Sequence, residues 1–263
     1  MLDVQMAVAK TNKYASRESG DTIEVVERPH GGFSVVLADG QGSGKSAKSL
    51  SHLVTSKAIG MIKDGARDGA VARAAHDYLY TYRGGQVSAT LVILSVDLST
   101  RTLVMSRNSH CPIILSRAGA GELTMLEAES SPIGLYSMTR PVITQLPVEA
   151  NTYAITYTDG VMEAGRRDNR QVDVPALFSR ALAEGRTSAR ELADYILQMA
   201  LEADAGRPAD DMTVLVLAIN EAAPHDASRI TPEIRRLEMH VPVQRTGAAT
   251  LQAVDQLSPA AIP

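Results

Sequence analysis

Four acidic positions stand beside small residues or a second acid at the ends of apolar runs: Gly20-Asp21, Asp39-Gly40 after VVLA, Asp159-Gly160 after AITYT, and Asp210-Asp211 before MTVLVLAI. An isolated Asp-Gly pair is ordinarily a turn, because glycine tolerates positive φ and aspartate caps turns. Repetition of the same context changes that reading: it predicts that Asp39, Asp159 and Asp210 gather at one edge of a sheet sandwich. Clustered carboxylates repel unless a cation lies between them, and oxygen ligands without His or Cys favour Mg²⁺ or Mn²⁺ over zinc. Two such ions roughly 3.5 to 4 Å apart bridge a water, lower its pKa toward neutrality and hold phosphoryl oxygens for in-line displacement. The expected chemistry is hydrolysis of a phosphate ester without a covalent intermediate. Gly40 adds its carbonyl to the ligand set, having no Cβ to keep an ion away.

A competing signal sits in the same place. Asp39-Gly-Gln-Gly-Ser-Gly-Lys-Ser46 imitates a phosphate-cradling P-loop, ending in Gly44-Lys45-Ser46 ahead of a helical stretch. A P-loop needs glycine five places before its Gly-Lys pair, where this chain has Asp39, a carboxylate that would face the nucleotide phosphates. Asp97, the apparent partner, closes the apolar run LVILSV and reads as a hairpin turn residue. The nucleotide-hydrolase reading is therefore set below the metal-hydrolase one.

The elements that must position these residues are set by hydrophobic period and turn residues. Strands are expected over 2–9, 22–28 and 33–38, the last two joined by a turn at Pro29-His30-Gly31-Gly32. Helices are expected over about 46–63 and 69–82. The middle third then reads as short strands in series: SATLVILSVD, TLVMSRN, PIILSR, ELTML, PVITQL and TYAITYT. Helical periodicity returns over 174–183 and 187–203 before a strand at 212–219. Strands in series with helices grouped in pairs predict an α+β architecture, because alternating βαβ units are absent.

The 263 residues, 44% hydrophobic and 21% charged, suffice for a full core. A net charge of -4 with no basic run argues against nucleic acid as a partner. The start of the chain has neither the basic residues nor the apolar stretch of a secretory signal, and no apolar run reaches the roughly 18 to 20 residues that span a bilayer. No membrane association and a cytoplasmic location are expected. Cys111, the one cysteine, reads as a small buried hydrophobe. After Asn220 the composition shifts to Ala, Pro, Gln and Ser, so 1–220 reads as the domain and 221–263 as a tail, partly disordered or a docking arm, with a strand-like piece at 235–243.

In order and spacing, SGD at 19–21, LADGQGSG at 37–44, SATLVILSVD at 88–97, NSHCPIIL at 108–115, SSPIGLY at 130–136, YTDGVMEA at 157–164 and DDMTVLVL at 210–217 resemble the PPM-type (type 2C) metal-dependent Ser/Thr protein phosphatases. The likeness is to the bacterial branch of sporulation stage II and stress-response sigma-regulator phosphatases, and it covers residues 1 to about 220. It implies a four-layer α-β-β-α sandwich with antiparallel sheets flanked by helix pairs. It also implies two Mn²⁺ or Mg²⁺ ions, with Asp39 bridging both, the Gly40 carbonyl on one, and Asp159 and Asp210 completing the pair. By the same likeness Asp21 acts through a water or at an accessory ion, and Asp211 supports the ligands from behind. Many relatives carry His in the loop after the Asp-Gly pair, where this chain has Gln41 and Ser43, and the Arg that grips phosphate in eukaryotic-type members has only Arg17 as a candidate. His110 is assigned a structural role, and the general acid is left open. The implied substrate is phosphoserine or phosphothreonine on a STAS-type anti-anti-sigma protein. Helices 46–82, a switch element in this branch, or the tail would contact a regulator or a second copy. Two rivals remain: a scaffold of the same fold that binds a phosphoprotein without hydrolysing it, and the nucleotide hydrolase.

Overall fold

Runs rich in Val, Ile and Leu form ten strands among the described residues, and their lack of strict apolar-polar alternation has a structural cause: the central strands are buried on both faces. The computed structural model describes residues 1–118, 122–222, 237, 239 and 240. The chain divides into two units, Met1–Ala223 and Pro224–Pro263, the first of which carries these strands and the helices that flank them. The tail expected at 221–263, with its strand-like piece at 235–243, falls almost wholly outside the described residues.

One antiparallel sheet has the order β1 (Leu2–Thr11), β10 (Met212–Glu221), β9 (Thr152–Tyr157), β6 (Ile113–Ser116), β7 (Thr124–Leu126). The other runs β2 (Asp21–Glu27), β3 (Gly32–Gly40), β4 (Ala89–Asp97), β5 (Thr102–Asn108), β8 (Val142–Pro147). Their inner faces meet in one core, where Val35, Leu37, Val92 and Leu94 from the second sheet lie among Ile113, Leu215, Leu217 and Ile219 from the first. The intervening side chains point outward to helices. Val36, Ala38, Leu91 and Ile93 pack against α1 (Gly44–Lys63) and α2 (Asp68–Arg83). Val214, Val216, Ile155 and Tyr157 pack against α4 (Val174–Ala183) and α5 (Ala189–Ala203), with the fully buried Phe178 at the centre. The expected α-β-β-α sandwich is the observed one.

Several boundaries move for local reasons. Strand β3 does not stop at Ala38: Asp39 and Gly40 still pair with Thr90 and Ala89 of β4, so the candidate ligands are strand residues rather than turn residues. Asp21 is the first residue of β2, directly opposite Asp39. Helix α1 begins at Gly44 and α5 at Ala189, because Ser43 and Ser188 take the extended conformation of an N-cap. Asp97 accepts from the backbone N–H groups of Ser99 and Thr100 at 2.9 and 3.0 Å and so closes the β4–β5 turn. Both neighbours of β3 are antiparallel to it, which removes the parallel βα unit that a P-loop at 39–46 would require.

Among the described residues no helix is long and apolar enough to cross a membrane.

Candidate metal centre

Five aspartates from four stretches of chain line one cleft of about 260 Å³. Asp21 and Asp39 come from neighbouring strands of one sheet. Asp159 opens the short helix α3 (Asp159–Met162) after β9, and Asp210 and Asp211 precede β10 in the other sheet. The cleft thus lies where the ends of both sheets face each other. Gly40, Gln41, Gly42, Ser88, Ala89, Thr90, His110 and Pro132 complete its walls.

Two glycines permit this convergence by close backbone approach. A Cβ on Gly40 would lie 2.2 Å from the carbonyl oxygen of Ala47, so glycine lets α1 abut the end of β3. A Cβ on Gly160 would lie 2.1 Å from the carbonyl oxygen of Asp211, so Gly160 lets the segments carrying Asp159 and Asp210 meet. Close contact with the helix is therefore a reason for glycine at position 40 that the sequence did not offer.

The aspartates divide by their partners. Asp211 is buried, and its carboxylate accepts from the backbone N–H of Lys13 at 2.8 Å and of Gly20 at 2.6 Å, tying the loop before β2 to the start of β10. Asp21 Oδ2 accepts from the hydroxyls of Thr158, at 3.1 Å, and Thr213. Its own carbonyl receives the ammonium groups of Lys10 and Lys48 at 2.6 and 2.9 Å. Asp39 and Asp159 are left facing the cavity, and Asp210, which also lines it, accepts at Oδ1 from the backbone N–H of Asp211 at 2.9 Å with the Lys13 ammonium 4.0 Å away. His110 is half exposed at the mouth, its Nε2 4.0 Å from Asp159 Oδ2.

Electrostatics set this cluster apart. Burial, followed by the charges of Asp21, Asp159, Asp210 and Asp211, pushes the Asp39 carboxyl up to about 8. Asp21 is pushed up to about 6, again by burial first, against the lowering effect of the Thr213 bond and of Lys10. Asp159 is raised by burial and by Asp210, with His110 opposing. No Lys or Arg is among the lining residues, and the cations nearby act from the side: the Lys13 ammonium lies 4.0 Å from Asp210 Oδ1, and Lys10 opposes the rise of Asp21.

The donor set fits hard divalent cations. It consists of carboxylate and carbonyl oxygens, and its mutual repulsion is what a cation would relieve. Among the described residues no three His, Cys, Asp or Glu side chains converge on a single point. Ions held here would draw much of their shell from water, which suits Mg²⁺ and its like. A larger groove of about 690 Å³ between residues 11–16 and α5 offers Glu202 as its one carboxylate and has no comparable chemistry.

Sequence reasoning named Gln41 only as a departure from the His of many relatives, and passed over Ser88, Thr90 and the threonines that hold Asp21. Nothing local marks them, since Thr158 and Thr213 lie 137 and 192 residues from Asp21. Cys111 is buried as expected, and burial pushes its thiol up to about 12, away from nucleophilic duty.

Known proteins share this fold. The family described as Stage II sporulation protein E (SpoIIE) matches residues 29–220. Stage II sporulation protein E of Priestia megaterium is 22% identical over 227 residues, which is 84% of this chain but 37% of that protein. The chain thus spans little more than a third of that curated relative. The structure of the PP2C phosphatase domain and a fragment of the regulatory domain of SpoIIE from Bacillus subtilis superimposes with a TM-score of 0.70 at 20% identity, over 85% of this chain and 65% of that one. The catalytic domain of the serine/threonine phosphatase PstP, in complex with two manganese ions, gives 0.62 at 18% identity, over 84% of this chain and all of that one.

Proposed function

The chain belongs to the Stage II sporulation protein E family, and from that premise we propose that it is a metal-dependent serine/threonine protein phosphatase working through the cleft of Asp39, Asp159 and Asp210. The observation that carries this reading is that those three carboxylates, from both sheets, line one cavity whose wall holds no Lys or Arg. Asp39, the Gly40 carbonyl, Asp159 and Asp210 would hold two Mn²⁺ or Mg²⁺ ions, with Asp21 reaching an ion through water. Bound there, the ions would supply an acidified water as nucleophile and positive charge against the phosphoryl oxygens.

The chain's own residues do the rest. Asp211, through Lys13 and Gly20, holds the loop before β2 so that Asp21 enters the cleft. Thr158 and Thr213 fix the rotamer of Asp21 across the seam between the sheets. The position of His110 beside Asp159 favours a role at the cleft mouth, accepting or delivering a proton at Nε2, over the structural one assigned from sequence.

The substrate we propose is a phosphoserine or phosphothreonine on a regulatory protein of STAS type, in a cytoplasmic partner-switching pathway. Release of phosphate from p-nitrophenyl phosphate and from phosphoserine peptides, with Mn²⁺, Mg²⁺ or chelator, tests the core of it. Turnover should require metal and fall by several powers of ten in Asp39→Asn and Asp159→Asn while circular dichroism stays native. Folded protein that binds phosphopeptide and never releases phosphate would make it a scaffold instead.

A further inference from the structure

A cleft rich in carboxylates needs something besides its metals to orient a phosphate ester, and its wall has no Lys or Arg with which to do so. The donors in the wall itself are Gln41, Ser88, Thr90 and His110. Of these, Gln41 is the one whose orientation the fold dictates.

The backbone N–H of Ser88 can only donate, and it lies 2.9 Å from the side-chain oxygen of Gln41. The Ser88 hydroxyl lies 3.2 Å from the same oxygen. The main chains are also joined, Gln41 N donating to the Ser88 carbonyl at 3.0 Å. An amide whose oxygen is consumed by a backbone donor has no freedom to flip, so the assignment of oxygen and nitrogen is dictated by the network. The two N–H groups on Gln41 Nε2 then have no partner among the described residues, on a side chain that lines the cleft.

We propose that Gln41 Nε2 donates to a non-bridging phosphoryl oxygen of the bound ester, and that Ser88 is the positioning residue that aims it. A neutral amide suits this place. An arginine or lysine at position 41 would be drawn into ion pairs with Asp39 or its neighbours, whereas the amide contributes donors without neutralising the carboxylates that hold metal. The inference rests on the phosphatase reading and names a substrate contact within it.

Two substitutions isolate the donor. Gln41→Glu keeps an oxygen for the Ser88 N–H and removes the free donors; Gln41→Leu removes both at similar size. On the full chain loaded with Mn²⁺, each should raise the KM for p-nitrophenyl phosphate and the inhibition constant of inorganic phosphate about tenfold or more, the loss of one hydrogen bond to a charged group. Gln41→Leu should leave the Mn²⁺ dissociation constant and the melting temperature near wild type, and Gln41→Glu, which adds a carboxylate, should not weaken Mn²⁺ binding. Ser88→Ala should move the same two constants in the same direction by less, since its backbone N–H remains. Unchanged phosphate inhibition in both Gln41 variants would overturn the assignment. So would a fall in Mn²⁺ affinity parallel to the fall in turnover, which would make Gln41 a prop for the metal loop. Wild-type protein that binds Mn²⁺ yet neither turns over the ester nor binds phosphate would overturn the phosphatase reading beneath it.

Discussion

Asp39 is held against its own chemical preference. Its carboxyl is pushed up to about 8 by burial and by four neighbouring aspartates, well above the ordinary carboxylate range. An acid whose folded pKa is raised favours the fold while protonated, and that contribution is lost as pH climbs from about 4 through about 8. In chelator, thermal melts should therefore show a higher midpoint at pH 5.5 than at pH 8. Asp39→Asn should raise the pH 8 midpoint and flatten the slope while abolishing turnover. An Asn variant melting no higher than wild type at pH 8 would remove repulsion as the explanation. The sequence disclosed these carboxylates because each adjoins a strand end and a small residue or a second acid. It did not disclose what orients them, since the partners of Asp21 and Asp211 are backbone amides and hydroxyls brought in from remote segments.

At the level of elements, one helix is fastened to its sheet by a buried charge. Asp68, the first residue of α2, pairs with Arg28 at 3.4 Å, and Arg28 also donates to Ser34 on β3 and Ser95 on β4 at 2.8 and 3.2 Å. Both side chains are under 10% exposed. Removing one partner strands the other charge in the core, so Asp68→Ala should cost about 3 kcal/mol or more in urea unfolding, whereas the apolar double replacement Arg28→Met with Asp68→Leu should recover most of it. Equal losses in the single and double variants would show that the pair itself carries the stability. None of this was legible beforehand: Arg28 fell at the end of the strand expected at 22–28 and Asp68 just ahead of the helix expected at 69–82, with nothing to join them. The strands were legible, because β-branched runs bounded by Gly, Asn and Asp admit few alternatives. Their ends were not, because whether Asp39 and Gly40 continue the ladder depends on Thr90 and Ala89 standing opposite.

Over the molecule as a whole, a sandwich covered on both sides by helices buries strands with no polar face. The stretches at 33–38, 89–96 and 212–219 contain no charged residue. Released together on unfolding, such segments associate faster than they refold. Heating should accordingly be irreversible, with light scattering rising at the transition and no recovered signal on a second scan, and Mn²⁺ should delay its onset by binding only the folded chain. A fully reversible second scan would contradict this. The α+β class was readable from strands in series and helices in pairs, and the layer order came from the family resemblance. The pairing of the sheets was not, because β1 is joined to β10 across almost the whole domain, Leu2 opposite Glu221 and Thr11 opposite Met212. That pairing sets a timetable during synthesis. At roughly 5 to 20 residues per second, β1 waits about 10 to 40 seconds after its own synthesis for β10, its neighbour in the sheet. Through that interval a ten-residue strand is exposed with its backbone donors and acceptors open, so the nascent chain calls for a chaperone until Asp210 and the strand behind it emerge.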